Sequence, residues 1–375
     1  AQQFQWAAVY NDPGLNVRNL AVGPDGAAYL AGQFSLSVDM DPGAGDHTLD
    51  SHGGLDAFLT RFESTGEWAW TARIGGMTDD VATAVEVDPN GNVVVVGSFS
   101  GTADLDPGPA LVQHASAGSD DVFVVKLDPS GNLIWVRTLA APSQQLATAV
   151  ATDPQGNVWI GGSMFGTADF DPGIGTYMLT GDAFNDWGFL WKLDAAGGLL
   201  WAGLLPGLHT YNTMQLSVNS LGELHVSGTF NSGTIDLDPG LSAVQYTHAP
   251  PGSSATNSYL FKLTADGSYM WSKHWPVNDD DDHIGLAHCA FDPDGNLILA
   301  GSFSGTVDLD PGAGSTVLSS VGGVYADALL AKLDPNGALV WVKTFGDATE
   351  ESVFDACVDP AGNIMVGGIF EGATD

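Results

Sequence analysis

The chain has 375 residues and a formal net charge of −35, set by 45 acidic against 10 basic side chains, with 44% hydrophobic residues, 49 Gly and 19 Pro. That balance argues against a nucleic-acid partner, which needs clustered Lys and Arg, and against docking on an anionic membrane. No apolar run is long enough to cross a bilayer, so no membrane insertion is expected.

In chain order, the segment Phe4 to Val9 reads as a single strand carrying Trp6. The same tryptophan recurs as Trp70, Trp135, Trp201, Trp271 and Trp341, at spacings of 64 to 70 residues. One structural position therefore occurs six times, and the chain is a repeat protein. The best-preserved copy predicts four strands: a, Ala82 to Val87; b, Asn92 to Phe99; c, Val122 to Leu127; d, Asn132 to Thr138. Runs this short, rich in Val, Ile, Phe and Trp and bounded by Gly, Pro and Asp, are strands rather than helices. The a–b and c–d connections share one turn chemistry, as in Asp88-Pro89-Asn90-Gly91-Asn92 and Asp128-Pro129-Ser130-Gly131-Asn132. Pro presets the second turn position and Gly takes the positive φ.

Four antiparallel strands in six copies predict an all-β fold, a six-bladed β-propeller in one domain. The blades fall at about 14–73, 80–138, 146–203, 210–273 and 283–343, and the sixth combines 350–375 with 1–11. In that arrangement the N-terminal strand closes the last blade and removes exposed sheet edges. The sixth blade then lacks a strand c, so the natural chain is expected to continue past Asp375.

The most regular feature lies between strands b and c. Gly97 to Gly108 reads GSFSGTADLDPG, Gly162 to Gly173 reads GSMFGTADFDPG, and related copies begin at Gly32, Gly228, Gly301 and Gly368. Each complete copy carries a pair of aspartates: Asp39 and Asp41, Asp104 and Asp106, Asp169 and Asp171, Asp236 and Asp238, Asp308 and Asp310. Alternate residues of an extended segment point the same way, and two like charges so close call for neutralisation. Ca²⁺, a hard cation that takes oxygen ligands in flexible loops, is the expected partner. The competing reading is that these carboxylates cap turns by accepting backbone N–H groups. Only seven of the chain's acids are Glu, and the preference for the shorter Asp suits either role.

The run Asp279-Asp280-Asp281-Asp282-His283, with Asp79, Asp80, Glu350 and Glu351, lies in d–a connections. These should share the acidic face of the D-x-D-P-G loops. Nine of the ten basic residues fall in strands c and d, where cross-strand pairing explains them. The nine histidines show no zinc spacing. Cys289 and Cys357 occupy opposite strand faces and are expected to be two small buried thiols without a disulfide. No P-loop, nucleophile elbow or H-E-x-x-H motif is present. Carboxylate pairs recurring in every blade are scaffolding rather than catalysis, so no enzyme activity and no catalytic residue is expected.

The unit from Asp88 to Gly108 resembles the secreted bacterial β-propeller repeats, and the resemblance extends over essentially the whole chain. It implies a bacterial, secreted or cell-surface protein that binds a protein or glycan partner. The spacing of Asp128, Gly131 and Trp135 is similar to quinoprotein-like propeller repeats, but the metal and paired-cysteine features of those enzymes are absent. The expected role is a non-enzymatic binding or scaffolding module with an acidic, calcium-binding loop face. The alternative is a lectin or polysaccharide-active enzyme.

Overall fold

Short β-branched and aromatic runs alternating with Asp-Pro-x-Gly turns fold into tandem antiparallel sheets. The computed structural model describes residues 6–10, 12–209, 214–248, 255–277, 282–323 and 325–371, and among them there is no helix. The chain divides into two compact units, Ala1–Ala202 and Gly203–Asp375.

In the first unit, strands Leu15–Val22, Ala28–Phe34, Asp56–Phe62 and Trp68–Gly76 lie side by side in that order, as strands a to d of the first repeat. The second repeat is built from Asp80–Val87, Val93–Phe99, Asp121–Leu127 and Leu133–Leu139. The third is built from Gln145–Thr152, Val158–Met164, Trp187–Leu193 and Leu199–Leu205. In the second unit, Met214–Val218, Leu224–Phe230, Asn257–Leu263 and Tyr269–Trp275 form one such sheet, and His283–Phe291, Leu297–Ser304, Asp327–Leu333 and Leu339–Phe345 the next. Glu351–Val358 and Ile364–Phe370 pair as a and b.

Strands b and c are buried on both faces, as Val93–Phe99 and Asp121–Leu127 show, while strand d is half exposed. Val95, Phe99, Phe123, Val125 and Leu127 centre the core of the first unit, and Leu297, Leu299, Phe303 and Leu329 that of the second. Trp70 and Trp135 of strand d, and Trp6 ahead of the first repeat, tie into the repeat that follows each of them in the first unit. Trp6, Trp70 and Trp135 donate their indole N–H to Ser64, Pro129 and Ala195 carbonyls at 3.2, 3.1 and 3.0 Å, each in the c–d turn of the following repeat.

Four features depart from the expectations. Residues 6–10 enter no sheet, so no N-terminal strand is seen there. Side chains hold the segment instead of a backbone ladder, Trp6 through Ser64 and the Tyr10 hydroxyl through the Met40 carbonyl at 2.8 Å. Each D-x-D-P-G segment belongs to an additional two-stranded hairpin between strands b and c: Ser37–Asp39 with Thr48–Asp50, Thr102–Asp104 with Gln113–Ala115, Thr167–Asp169 with Met178–Thr180, Thr234–Asp236 with Gln245–Thr247, and Thr306–Asp308 with Val317–Ser319. Cys289 is buried, but Cys357 is exposed; both are free thiols. Finally, Asp80 and Glu351, expected on an acidic surface, are fully buried. Of the acid run, Asp279 to Asp281 lie outside the described residues, and Asp282 is buried and accepts the Thr306 N–H at 2.9 Å.

Candidate functional site

The hairpins owe their position to alternation. Val38 and Met40, Ala103 and Leu105, Ala168 and Phe170, Ile235 and Leu237, Val307 and Leu309 are all buried, anchoring each hairpin in the core beneath it. The paired aspartates between them turn the other way. In every copy the first carboxylate accepts two backbone N–H groups through Oδ1: Asp39 from Asp41 and His47, Asp104 from Asp106 and Val112, Asp169 from Asp171 and Tyr177, Asp236 from Asp238 and Val244, Asp308 from Asp310 and Thr316. The second accepts one: Asp41 from Gly43, Asp106 from Gly108, Asp171 from Gly173, Asp238 from Gly240, Asp310 from Gly312, each at 2.8 Å. Backbone donation holds the Asp39 carboxyl below the usual carboxylate range. At Asp308 burial acts upward, but the Thr316 and Asp310 N–H groups outweigh it.

Turn closure thus accounts for Oδ1 of all ten aspartates. Among the described residues no three His, Cys, Asp or Glu side chains converge as a metal cluster. A cation at these loops would use the Oδ2 atoms with backbone carbonyls. Asp104→Ala should free the Asp106 and Val112 amides at a cost of about 2 kcal/mol for the two lost hydrogen bonds. Amide exchange at Val112 should accelerate while the strand amides of Val93–Phe99 stay protected.

One hairpin helps to build a cavity. The second repeat's hairpin extends the first repeat's strand d, with Gly75 opposite Asp104 and Gly76 opposite Ala103. Between this junction and the strand Thr48–Asp50 lies a cavity of about 400 Å³, lined by residues including Asp50, Arg73, Asp104 and Asp106 with Thr48 and Thr71. Arg73 is its cation. Nη1 donates to the Asp50 carbonyl at 3.2 Å and Nε lies 3.7 Å from Asp56 Oδ2. Three carboxylates, two hydroxyls and one guanidinium make a cup suited to hydroxyl-rich or cationic ligands. Sequence spacing gave no sign of this cavity, because its walls come from three segments of two repeats.

The basic residues of strand c have another role than cross-strand pairing. Each meets the carboxylate of the a–b turn in its own repeat: Arg61 with Asp25 at 2.9 Å, Lys126 with Asp88 at 2.8 Å, Lys192 with Asp153 at 3.2 Å, Lys262 with Glu223 at 2.6 Å, Lys332 with Asp292 at 2.5 Å. The cation stands next to last in strand c, beside the start of strand b, and so reaches the turn that precedes it. At Asp292 burial acts upward, but hydrogen bonds from Lys332 and Asn296 bring the carboxyl down to about 2. His225 is buried between Trp271 and Phe291, and desolvation lowers it to about 3, so it stays neutral as a core residue.

No family model matches the chain. It is 23% identical over 382 residues to an uncharacterized WD repeat-containing protein of Acanthamoeba polyphaga mimivirus, covering 88% of this chain and 27% of that protein. It is 33% identical over 125 residues to the regulatory protein FlaEY of Caulobacter vibrioides, covering 33% of this chain and 12% of that one. The chain therefore spans about a quarter and an eighth of these relatives. Among solved structures it aligns with a Bacteroides caccae protein of unknown function at a TM-score of 0.40 and 11% identity, over 89% of this chain and 83% of that one. Sqt1 from Chaetomium thermophilum aligns at 0.40 and 12%, over 95% and 96%. The tandem four-stranded antiparallel sheets make this an all-β repeat protein, and the long similarity to a WD repeat-containing relative supports repeats of a general β-propeller kind.

Proposed function

We propose that the chain is a non-enzymatic binding or scaffolding module of a secreted or cell-surface protein, with a protein or glycan partner at that surface. The observation that carries this reading is the fivefold use of one Asp pair to close one kind of hairpin. Each copy repeats the same hydrogen bonds and makes a rigid, acidic hairpin tip. The similarity to a WD repeat-containing relative supports the modular part of the reading. Ca²⁺ at Asp39, Asp41, Asp104, Asp106, Asp169, Asp171, Asp236, Asp238, Asp308 and Asp310 belongs to the same proposal, supported by the acidity of the loops and their Gly-rich carbonyls.

Thermal unfolding of chelator-treated protein, titrated with Ca²⁺ and separately with Mg²⁺, tests the metal part. A ligand bound by the folded state alone adds about 2.7 kcal/mol at a hundredfold excess over its dissociation constant. A Ca²⁺-selective rise that shrinks in Asp106→Ala and Asp310→Ala is expected. An unmoved transition at millimolar Ca²⁺ removes the cation and leaves turn closure as the whole role of the pairs.

The cavity at Arg73 favours a second reading, glycan binding. Its test is calorimetric titration with acidic and neutral oligosaccharides. Binding lost in Arg73→Ala supports that reading, and hydrolysis of any of them overturns the non-enzymatic one.

A further inference from the structure

Strand c of the first repeat opens with Asp56 and strand a of the second with Asp80, and both residues are fully buried. They flank Gly75. A Cβ built there would lie 2.9 Å from Asp56 Oδ1 and 2.8 Å from Asp80 Oδ2, so the two carboxylates crowd one glycine. Asp80 Oδ2 accepts the Gly76 N–H at 2.7 Å, and Oδ1 accepts the Ser100 N–H at 3.3 Å. Asp56 Oδ2 accepts the His52 N–H at 2.9 Å and faces Arg73. Asp56 Oδ1 is buried without a hydrogen-bond partner among the described residues.

The charged surroundings are few. Among the described residues Arg73 from strand d is the one nearby cation, His52 approaches from the preceding loop, and Asp79 adds a negative charge beside Asp80. Asp104, whose backbone pairs with Gly75, directs its carboxylate to Asp106 and Val112. Two ionised carboxylates here would face one guanidinium, with one buried oxygen left unpaired, a costly arrangement.

The next junction of the same unit answers the problem chemically. Asp121 takes the position of Asp56, and Gln145 that of Asp80; the Ala141 N–H reaches Asp121 Oδ1 at 3.2 Å and Gln145 Oε1 at 3.1 Å. An amide has the shape of a protonated carboxyl and carries no charge. In the second unit one junction is again acidic, with Asp327 and Glu351 both buried, while Asn257, uncharged, takes the position of Asp56 in the preceding repeat.

We propose that Asp56 and Asp80 share one proton in the folded protein, donated across the pair to the unpartnered Asp56 Oδ1, and that this proton makes the junction of the first two repeats pH-sensitive. Burial is the first cause that raises both carboxyls, Asp80 to about 7. A raised folded value means that the folded state holds the proton and the unfolded state releases it. The stabilisation is therefore complete below the ordinary carboxyl range, declines as pH rises toward about 7, and is absent above. One such proton changes the unfolding equilibrium constant by about tenfold per pH unit across that window.

Urea unfolding of the whole chain between pH 4 and pH 8, compared with Asp80→Asn, tests this. The variant copies the Asp–Gln junction. It should lose one proton's worth of pH slope and be more stable than the parent at pH 8. Parallel pH profiles overturn the proposal. Should Asp80→Asn fail to fold, infrared spectra of the parent decide: a protonated-carboxyl band present near pH 6 and lost by pH 8 is expected, and its absence overturns the proposal. Recovery of the low-pH stability at pH 8 on adding Na⁺ or Ca²⁺ would assign the pair to a cation and overturn proton sharing.

Discussion

Lys126→Ala is expected to destabilise the first unit by about 3–5 kcal/mol, because it strips the partner from a buried charge. The side chains of Lys126 and Asp88 are 2% and 0% exposed and meet at 2.8 Å. Lys126 also donates to the Gly156 carbonyl of the next repeat at 3.2 Å. Asp88 is further committed, through Oδ1 to the Asn90 and Asn92 N–H groups and through Oδ2 to the Asn92 amide. Burial alone would raise its carboxyl, but hydrogen bonds from Lys126 and Asn92 hold it below the usual range. The sign follows from that direction. The pair's contribution is present above the ordinary carboxylate value and fades as pH falls below it. Urea unfolding of Lys126→Ala, Asp88→Asn and the double variant forms the check. Asn at position 88 keeps the turn's acceptor, so the double variant should recover much of the single loss. A Lys126→Ala cost under about 1 kcal/mol, typical of an exposed pair, would refute the buried-ion-pair account.

The second large effect is expected at the first glycine of the G-x-F motif. Strand a bulges opposite it in five repeats, between Val17 and Asn19, Ala82 and Ala84, Ala147 and Ala149, Leu286 and His288, and Val353 and Asp355. The bulge drives a strand a carbonyl against the glycine. A Cβ on Gly97 would lie 1.9 Å from the Val81 oxygen and 2.7 Å from the Phe123 ring; on Gly301 it would lie 1.9 Å from the Gly285 oxygen, and on Gly368 2.0 Å from the Ser352 oxygen. Backbone cannot swing aside as a side chain does, so Gly97→Ala should cost at least about 3 kcal/mol, at the upper end for overpacking. Gly367→Ala is the control in the neighbouring position of the same kind of strand, where an added Cβ meets nothing within 4 Å. Equal losses in Gly368→Ala and Gly367→Ala would show that lost backbone freedom, and not the bulge, explains the motif.

These two sites also show where sequence reading stops. Strands were legible to within one or two residues. The expected Ala82 to Val87 and Asn92 to Phe99 became Asp80–Val87 and Val93–Phe99, because apolar patterning and Asp-Pro-x-Gly turns act within a few residues. The D-x-D-P-G copies stand out equally well, yet their pattern predicts loops where the structure has small hairpins. Each of their strands is three residues long, too short to show an alternating pattern. The burial of Asp80 was hidden as well, since next to Asp79 it looks like half of a solvated acidic turn.

The sequence by itself determined the repeat, its strands and its turns, all set by local propensity and alternation. Tertiary structure alone decided which charges are buried and what they meet. Lys126 finds Asp88, Gly97 finds the Val81 carbonyl, and Asp56 finds Asp80 through packing between strands and between repeats. Their environments depend on segments tens of residues away, which no local pattern encodes.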